Sequence, residues 1–177
     1  MSAVDPELYL QKAELIHSEQ VVSQAISSIA TQLNIDYAHE SPVVLCVMGG
    51  GVFFTGQLLP QLKFQLEFDY IHATRYHGIE GSEIEWLVKP KNHIIGRKVL
   101  ILDDILDEGI TLKTIVDECI KIGAAEVKVA VLVQKKLEKI KPVNADYMGL
   151  IVPNRYVFGC GMDVNGWWRN LPAIYAL

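Results

Sequence analysis

The chain has 177 residues, half of them hydrophobic, with 16 basic and 21 acidic side chains and a formal charge of −5. That size and composition suit one globular domain, and an acidic balance without runs of like charge argues against a partner held through nucleic-acid phosphates or an anionic membrane surface. Small anions bound at local sites are compatible with it.

The first residues, MSAVDPELYLQKAE, carry Asp5 and Glu7 and no long apolar core, so no signal peptide is expected. Residues 21–33 place Val21, Val22, Ala25, Ile26, Ile29, Ala30 and Leu33 on one helical face. Ser41 to Leu62 is free of charge and long enough to span a bilayer, but Pro42, Gly49-Gly50-Gly51, two Gln and Pro60 interrupt it. It reads instead as a strand over Val43–Met48 buried on both faces, a glycine turn, and an apolar helix from about Val52 to Leu62. Phe68–Ala73 reads as the next strand.

Residues 77–97 are polar and punctuated by Gly78, Gly81 and Gly96, with only Ile84–Val88 as a weak strand. This composition predicts a mobile excursion with a marginal hairpin. Regularity returns with a strand over Val99–Leu102 and a helix through Leu112, Ile115, Val116, Cys119 and Ile120, closed by Gly123. A further strand follows over Val127–Val133. Strand, helix, strand with parallel pairing predicts an α/β fold with an open, mainly parallel sheet flanked by helices. Cys46, Cys119 and Cys160 each sit beside apolar neighbours at no metal spacing, which predicts buried thiols and a reducing, cytoplasmic setting.

Within VLILDDILDEGITL, residues 99–112, an apolar strand runs into Asp103, Asp104 and Asp107. Ligands of open α/β sheets bind outside the carboxyl ends of the strands, where Asp103 to Thr111 would lie. A solvated turn with an Asp as helix starter accounts for one or two of these acids, less readily for three. The turn leads into a helix N-terminus whose free N–H groups favour an anion, and Gly109 allows close backbone approach. Acids on one side and anion-binding amides on the other suit a polyol phosphate. Carboxylates accept from ribose hydroxyls, while the amides and Thr111 hold the phosphate.

This arrangement resembles the phosphoribosyl pyrophosphate motif of the type I phosphoribosyltransferases: an apolar strand, two acids, two apolar residues, Asp, a small residue, Gly and Thr. Further segments, in order from about residue 40, resemble the hypoxanthine-guanine phosphoribosyltransferases within that group. LCVMGGGVFF, residues 45–54, resembles the pyrophosphate loop, with Met48, Gly49 and Gly50 as its ligand-facing residues and a commonly cis peptide near Met48-Gly49. DYIHATRYHG, residues 69–78, resembles the start of the flexible loop, with Arg75-Tyr76 where Ser-Tyr is usual. LVQKK, residues 132–136, brings Lys135 to the place of the lysine that reads the purine 6-oxo group. VPNRYVFGCGMD, residues 152–163, supplies Tyr156 to stack on the base, Val157 as a backbone contact to its edge, and Asp163 as the magnesium-associated acid. Arg169 matches the pyrophosphate arginine.

The resemblance implies a single domain over residues 1–177, with a flexible loop at about 74–92 and a small hood from about 153–177 and part of the N-terminus. Residues 1–40 match no motif. It also implies transfer of the 5-phosphoribosyl group from phosphoribosyl pyrophosphate to a 6-oxopurine, hypoxanthine or guanine. Asp107 would serve as general base on the purine N7 proton, Asp103 and Asp104 would hold the ribose hydroxyls, and residues 107–111 (Asp107, Glu108, Gly109, Ile110, Thr111) would hold the 5′-phosphate. Mg²⁺ is the implied cofactor, held by Asp163 with Asp103 or Asp104, and the implied assembly is a dimer or tetramer. Glu108 stands where a small hydroxyl residue is common and Ile110 where Lys or another polar residue is, so the Glu108 carboxylate is expected to face solvent and leave only its N–H in the site. Two rivals are a regulator that binds the same ligand without chemistry, and a phosphoacceptor signalling domain. The first has no need of Lys135, Tyr156 and Arg169, and the second would carry its acidic pair near the N-terminus.

Overall fold

The computed structural model describes residues 5–78 and 81–177; the side chains of 75–83 lie outside the description. After a short helix, α1 (Glu7–Lys12), and strand β1 (Glu14–His17), the chain forms α2 (Glu19–Asp36), β2 (Val43–Met48) and α3 (Gly51–Leu58). The hairpin β3 (Glu67–Gly78) and β4 (Gly81–Val88) follows, then β5 (Lys98–Leu106), α4 (Ile110–Ile122), β6 (Glu126–Lys135), β7 (Tyr147–Val152), β8 (Val157–Phe158) and β9 (Ile174–Ala176). Among the described residues no helix is long and apolar enough to cross a membrane.

Six strands form the main sheet in the order β4-β3-β2-β5-β6-β7, parallel throughout except for the antiparallel β3–β4 pair. Alternate residues of the central strands serve two cores. Val44, Leu100, Leu102, Ala130 and Leu132 pack with Ile26, Ile29 and Leu33 of α2 and with Phe54 and Leu58 of α3. Val43, Leu45, Val99, Ile101, Val129 and Val131 pack with Leu112, Ile115 and Cys119 of α4. Burial on both faces is why these strands read as continuous apolar runs rather than alternating ones. All three cysteines are buried and unpaired.

The structure departs from the sequence reading at four places. Val21 and Ile120 sit on the faces expected to be apolar yet are exposed, because the strip each helix buries is narrower than its apolar arc. β3 runs on to Gly78 and pairs with β4 over a longer stretch than the weak strand at Ile84–Val88 suggests, its registers including Arg75↔Ile84 and Tyr76↔Glu83. Ile84 and Trp86 pack against the α4-side core, a long-range contact that local composition does not reveal. β5 does not stop at Leu102 but continues through both acids to Leu106, with Asp103 opposite Val131 in the ladder, since backbone pairing is indifferent to the side chain it carries. Residues 1–40, which matched no motif, supply β1, the edge of a second sheet of order β1-β9-β8. His17 hydrogen-bonds through Nε2 to the Ile151 carbonyl, Trp168 donates from Nε1 to the Pro6 carbonyl, and Arg155 ion-pairs with Glu14, so the N-terminal segment is tied to the chain's last thirty residues.

Candidate active site

A cleft of about 500 Å³ lies at the carboxyl ends of β2 and β5 and against the middle of β3. β2 delivers Met48, Gly49 and Gly50, and the Met48–Gly49 peptide bond is cis. Gly50 has no room for a side chain, because a Cβ there would come within 1.8 Å of a carboxylate oxygen of Asp104. β5 delivers Asp103 and Asp104, each only 8% exposed, with the Asp104 N–H donating to Asp103 Oδ1 at 2.9 Å. Burial first, and then the neighbouring Asp104 charge, push the Asp103 carboxyl well above the usual range. Burial also raises Asp104, while hydrogen bonds and the charge of Arg169 act the other way.

The turn after β5 brings Asp107, Glu108, Gly109 and Thr111 to the same cleft. Gly109 has φ +84°, a left-handed conformation that glycine adopts without steric cost, and it starts α4 with no side-chain cap on the first turn. The first-turn N–H groups thus lack a side-chain acceptor and favour an anion. Ile110 does not line the cleft; its side chain is exposed. The Glu108 carboxylate differs from expectation, being half-exposed at the cleft and ion-paired with Lys139 rather than left to solvent. Arg169 closes the cleft opposite, donating to the Gly161 carbonyl at 2.7 Å and to Asp163 Oδ1 at 2.6 Å.

A second lobe of about 260 Å³ adjoins the first, and Asp104, Ile105 and Asp107 line both. Lys135, Tyr156, Val157 and Asp163 all line it, drawn from β6, β8 and the segments beside β8. Tyr156 is 53% exposed, so its ring is not core, and its carbonyl accepts from the Leu177 N–H. The Lys135 side chain is only 12% exposed and its Nζ lies 2.6 Å from Asp107 Oδ2. Asp163 also accepts from the Gly166 N–H at 2.7 Å through its other oxygen. Among the described residues no three His, Cys, Asp or Glu side chains gather as a metal cage. The acids nevertheless form an all-oxygen donor set, and among the described residues no Lys, Arg or His forms a salt bridge with Asp103 or Asp104, a setting that fits a hard divalent ion completed by ligand phosphates and water.

His72, Ala73 and Thr74 in the middle of β3 also line the first lobe and were not anticipated from the sequence. The signal available was their position one strand over from Met48, with which His72 is in register. The side chains of Arg75 and Tyr76 lie outside the described residues.

The family model of the phosphoribosyl transferase domain matches residues 13–165. The chain belongs to that family. Among phosphoribosyltransferases, a hypoxanthine-guanine-xanthine enzyme of Tritrichomonas foetus is 36% identical to it, the match covering 90% of this chain and 88% of that protein. A hypoxanthine-guanine phosphoribosyltransferase of Streptococcus pneumoniae strain R6 is 31% identical, with 95% and 93% covered. A crystal structure of the hypoxanthine-guanine enzyme of Bacillus anthracis superposes with a TM-score of 0.83 at 26% identity, covering 93% of this chain and 99% of that one. The type I phosphoribosyltransferase fold expected from the motif is therefore the fold of this chain.

Proposed function

We propose that this phosphoribosyltransferase acts in purine salvage, moving the 5-phosphoribosyl group from phosphoribosyl pyrophosphate to hypoxanthine or guanine and giving IMP or GMP and pyrophosphate. One observation carries the reading. Lys135 and Asp107 lie side by side, 2.6 Å apart, where the two lobes meet. The O6 and N7 positions of a 6-oxopurine are neighbours on one edge of the base, so a donor that reads O6 and an acceptor that takes the N7 proton must themselves be adjacent. A 6-amino group would present another donor to the ammonium and be rejected.

The remaining roles follow from the lobes. Tyr156 offers an open ring for stacking and Val157 a backbone edge contact, while Asp103 and Asp104 accept from the ribose hydroxyls. The 5′-phosphate sits on the N–H groups of residues 107–111 with the Thr111 hydroxyl, and Met48, Gly49, Gly50 and Arg169 face the pyrophosphate. Asp107, lining both lobes, takes the N7 proton as the purine nitrogen attacks C1 of the ribose and pyrophosphate leaves, general-base work of the kind worth roughly 10²- to 10⁴-fold. A Mg²⁺ ion held by Asp163 with Asp103 or Asp104 would neutralise charge on the departing pyrophosphate. Closure of the 74–92 segment over the centre, a dimeric or tetrameric assembly and a cytoplasmic location belong to the same proposal.

A regulator that binds phosphoribosyl pyrophosphate without chemistry would use the first lobe alone, and the second lobe with its buried lysine counts against it. Incubation with phosphoribosyl pyrophosphate, Mg²⁺ and, in turn, hypoxanthine, guanine, xanthine and adenine should yield IMP and GMP with pyrophosphate and no AMP. Absence of nucleotide with every base, while phosphoribosyl pyrophosphate still binds, would overturn catalysis in favour of the regulator.

A further inference from the structure

We propose that Lys141, in the connection between β6 and β7, is a positioning residue that sets the spacing of Lys135 and Asp107. Its ammonium donates to the Leu106 carbonyl and to the Lys135 carbonyl, both at 2.7 Å. Leu106 is the last residue of β5 and the neighbour of Asp107, and Lys135 is the last residue of β6. The backbone ladder between these strands ends at Leu106↔Gln134. Beyond it the chains part, one toward the phosphate turn and the other toward the β6–β7 connection, and Lys141 bridges them with a side chain.

The rest of the connection supports this placement. Pro142 and Val143 abut Gly109, where an added Cβ would lie 3.4 Å and 3.2 Å from them, so the segment that carries Lys141 also buttresses the phosphate turn. A partly buried ammonium is costly unless hydrogen-bonded. Burial pulls the Lys141 charge toward neutrality, Asp107 favours it and Lys135 opposes it, so Lys141 is electrically tied to both groups whose backbones it holds. A methionine of similar length would fill the space and drop both hydrogen bonds. Lys135 would then lose its fixed reach to O6 and Asp107 its fixed reach to N7.

The inference rests on the reading of Lys135 and Asp107 as the groups that face the purine. Its test is a double-mutant cycle on the full chain with Lys141→Met, Lys135→Ala and the double variant, assayed with hypoxanthine, phosphoribosyl pyrophosphate and Mg²⁺, with thermal melts alongside. Lys141→Met should lower kcat/KM for hypoxanthine by on the order of tenfold while KM for phosphoribosyl pyrophosphate stays within about threefold. In the Lys135→Ala background the same change should cost clearly less, because the part of the loss that passes through Lys135 is already gone and only the part that passes through Asp107 remains. A loss of equal size in both backgrounds, or an equal loss for both substrates, would make Lys141 merely structural and overturn the proposal. Should Lys141→Met fail to fold, Lys141→Gln goes through the same cycle under the same criteria. A silent Lys135→Ala would bring down the purine reading together with this inference, whereas a silent Lys141→Met beside an impaired Lys135→Ala would bring down this inference alone.

Discussion

The two lobes of the site are built in different ways. The first is largely a matter of backbone: the β2 glycines, the β5 end and the α4 N-terminus, with Asp103 to Thr111 contributed by one unbroken segment. The second is a matter of side chains, with Lys135, Tyr156 and Asp163 carried by segments well separated in sequence and aligned by ties elsewhere. A site made of backbone is hard to perturb by truncating one side chain and easy to perturb by adding a Cβ. A site made of side chains behaves the other way. The two meet at Asp104, Ile105 and Asp107, so residues there should act on the step that joins the two ligands more than on the binding of either.

The largest effect should come from that shared boundary. Asp107→Asn should lower kcat by roughly 10²- to 10⁴-fold while affinity for phosphoribosyl pyrophosphate stays within a fewfold, as stopped or spectrophotometric assays would read. A near-normal kcat would remove Asp107 from the chemistry and leave the boundary without a function.

Next comes the joint between the backbone lobe and the segment carrying Asp163. Gly161 has φ +102°, and a Cβ there would lie 2.0 Å from the Gly50 carbonyl oxygen. Neither backbone can yield cheaply, so Gly161→Ala should cost about 2–4 kcal/mol in denaturant unfolding and weaken ligands of both lobes. Gly56→Ala is the control: no atom lies within 4 Å of a Cβ at Gly56 on α3, so this change should be neutral or stabilising by up to about 1 kcal/mol. Equal losses in the two variants would mean that the joint is not special.

Lys135→Ala should act on one lobe only. It removes a charge-assisted hydrogen bond worth about 1.5–3 kcal/mol, to be seen as selectively weaker 6-oxopurine binding with phosphoribosyl pyrophosphate unaffected. An equal loss for both ligands would blur the distinction between the lobes.

Glu108→Thr should have the smallest effect and the opposite sign. It takes a carboxylate from the phosphate turn and frees the Lys139 ammonium now paired with it. Nucleotide binding should tighten by about threefold to tenfold, more at low salt because the interaction is screened. Binding that weakens instead would show that the Glu108–Lys139 pair supports the turn, and that this part of the backbone lobe depends on side chains after all.

That contrast also governs what could be read without coordinates. Helix faces, central strands and the glycine-closed α4 follow from apolar period and capping residues, which act over a few positions. The acid-rich turn was legible for the same reason, since a strand end, a glycine and a helix start are local and their chemistry is contiguous. Motif resemblance was needed to bring Lys135, Tyr156 and Asp163 together, for a lysine at a strand end or a tyrosine before an apolar pair has an ordinary local explanation. Neither route reached three things: how far β3 and β4 extend in their hairpin, the role of residues 14–17 as a sheet edge, and the Lys141 bridge. Each depends on contacts distant in sequence, β1 with β9, Ile84 and Trp86 with the α4-side core, and Lys141 with Leu106, whose proximity exists only once the sheet has formed. By itself the sequence determined the α/β class, the buried strands and the acid-rich, glycine-started turn after β5, because those depend on local periodicity and backbone freedom. Tertiary structure alone decided that β5 carries Asp103 and Asp104 into a buried cleft and that Lys135 meets Asp107, because burial and ion pairing are set by neighbours that only the folded chain supplies.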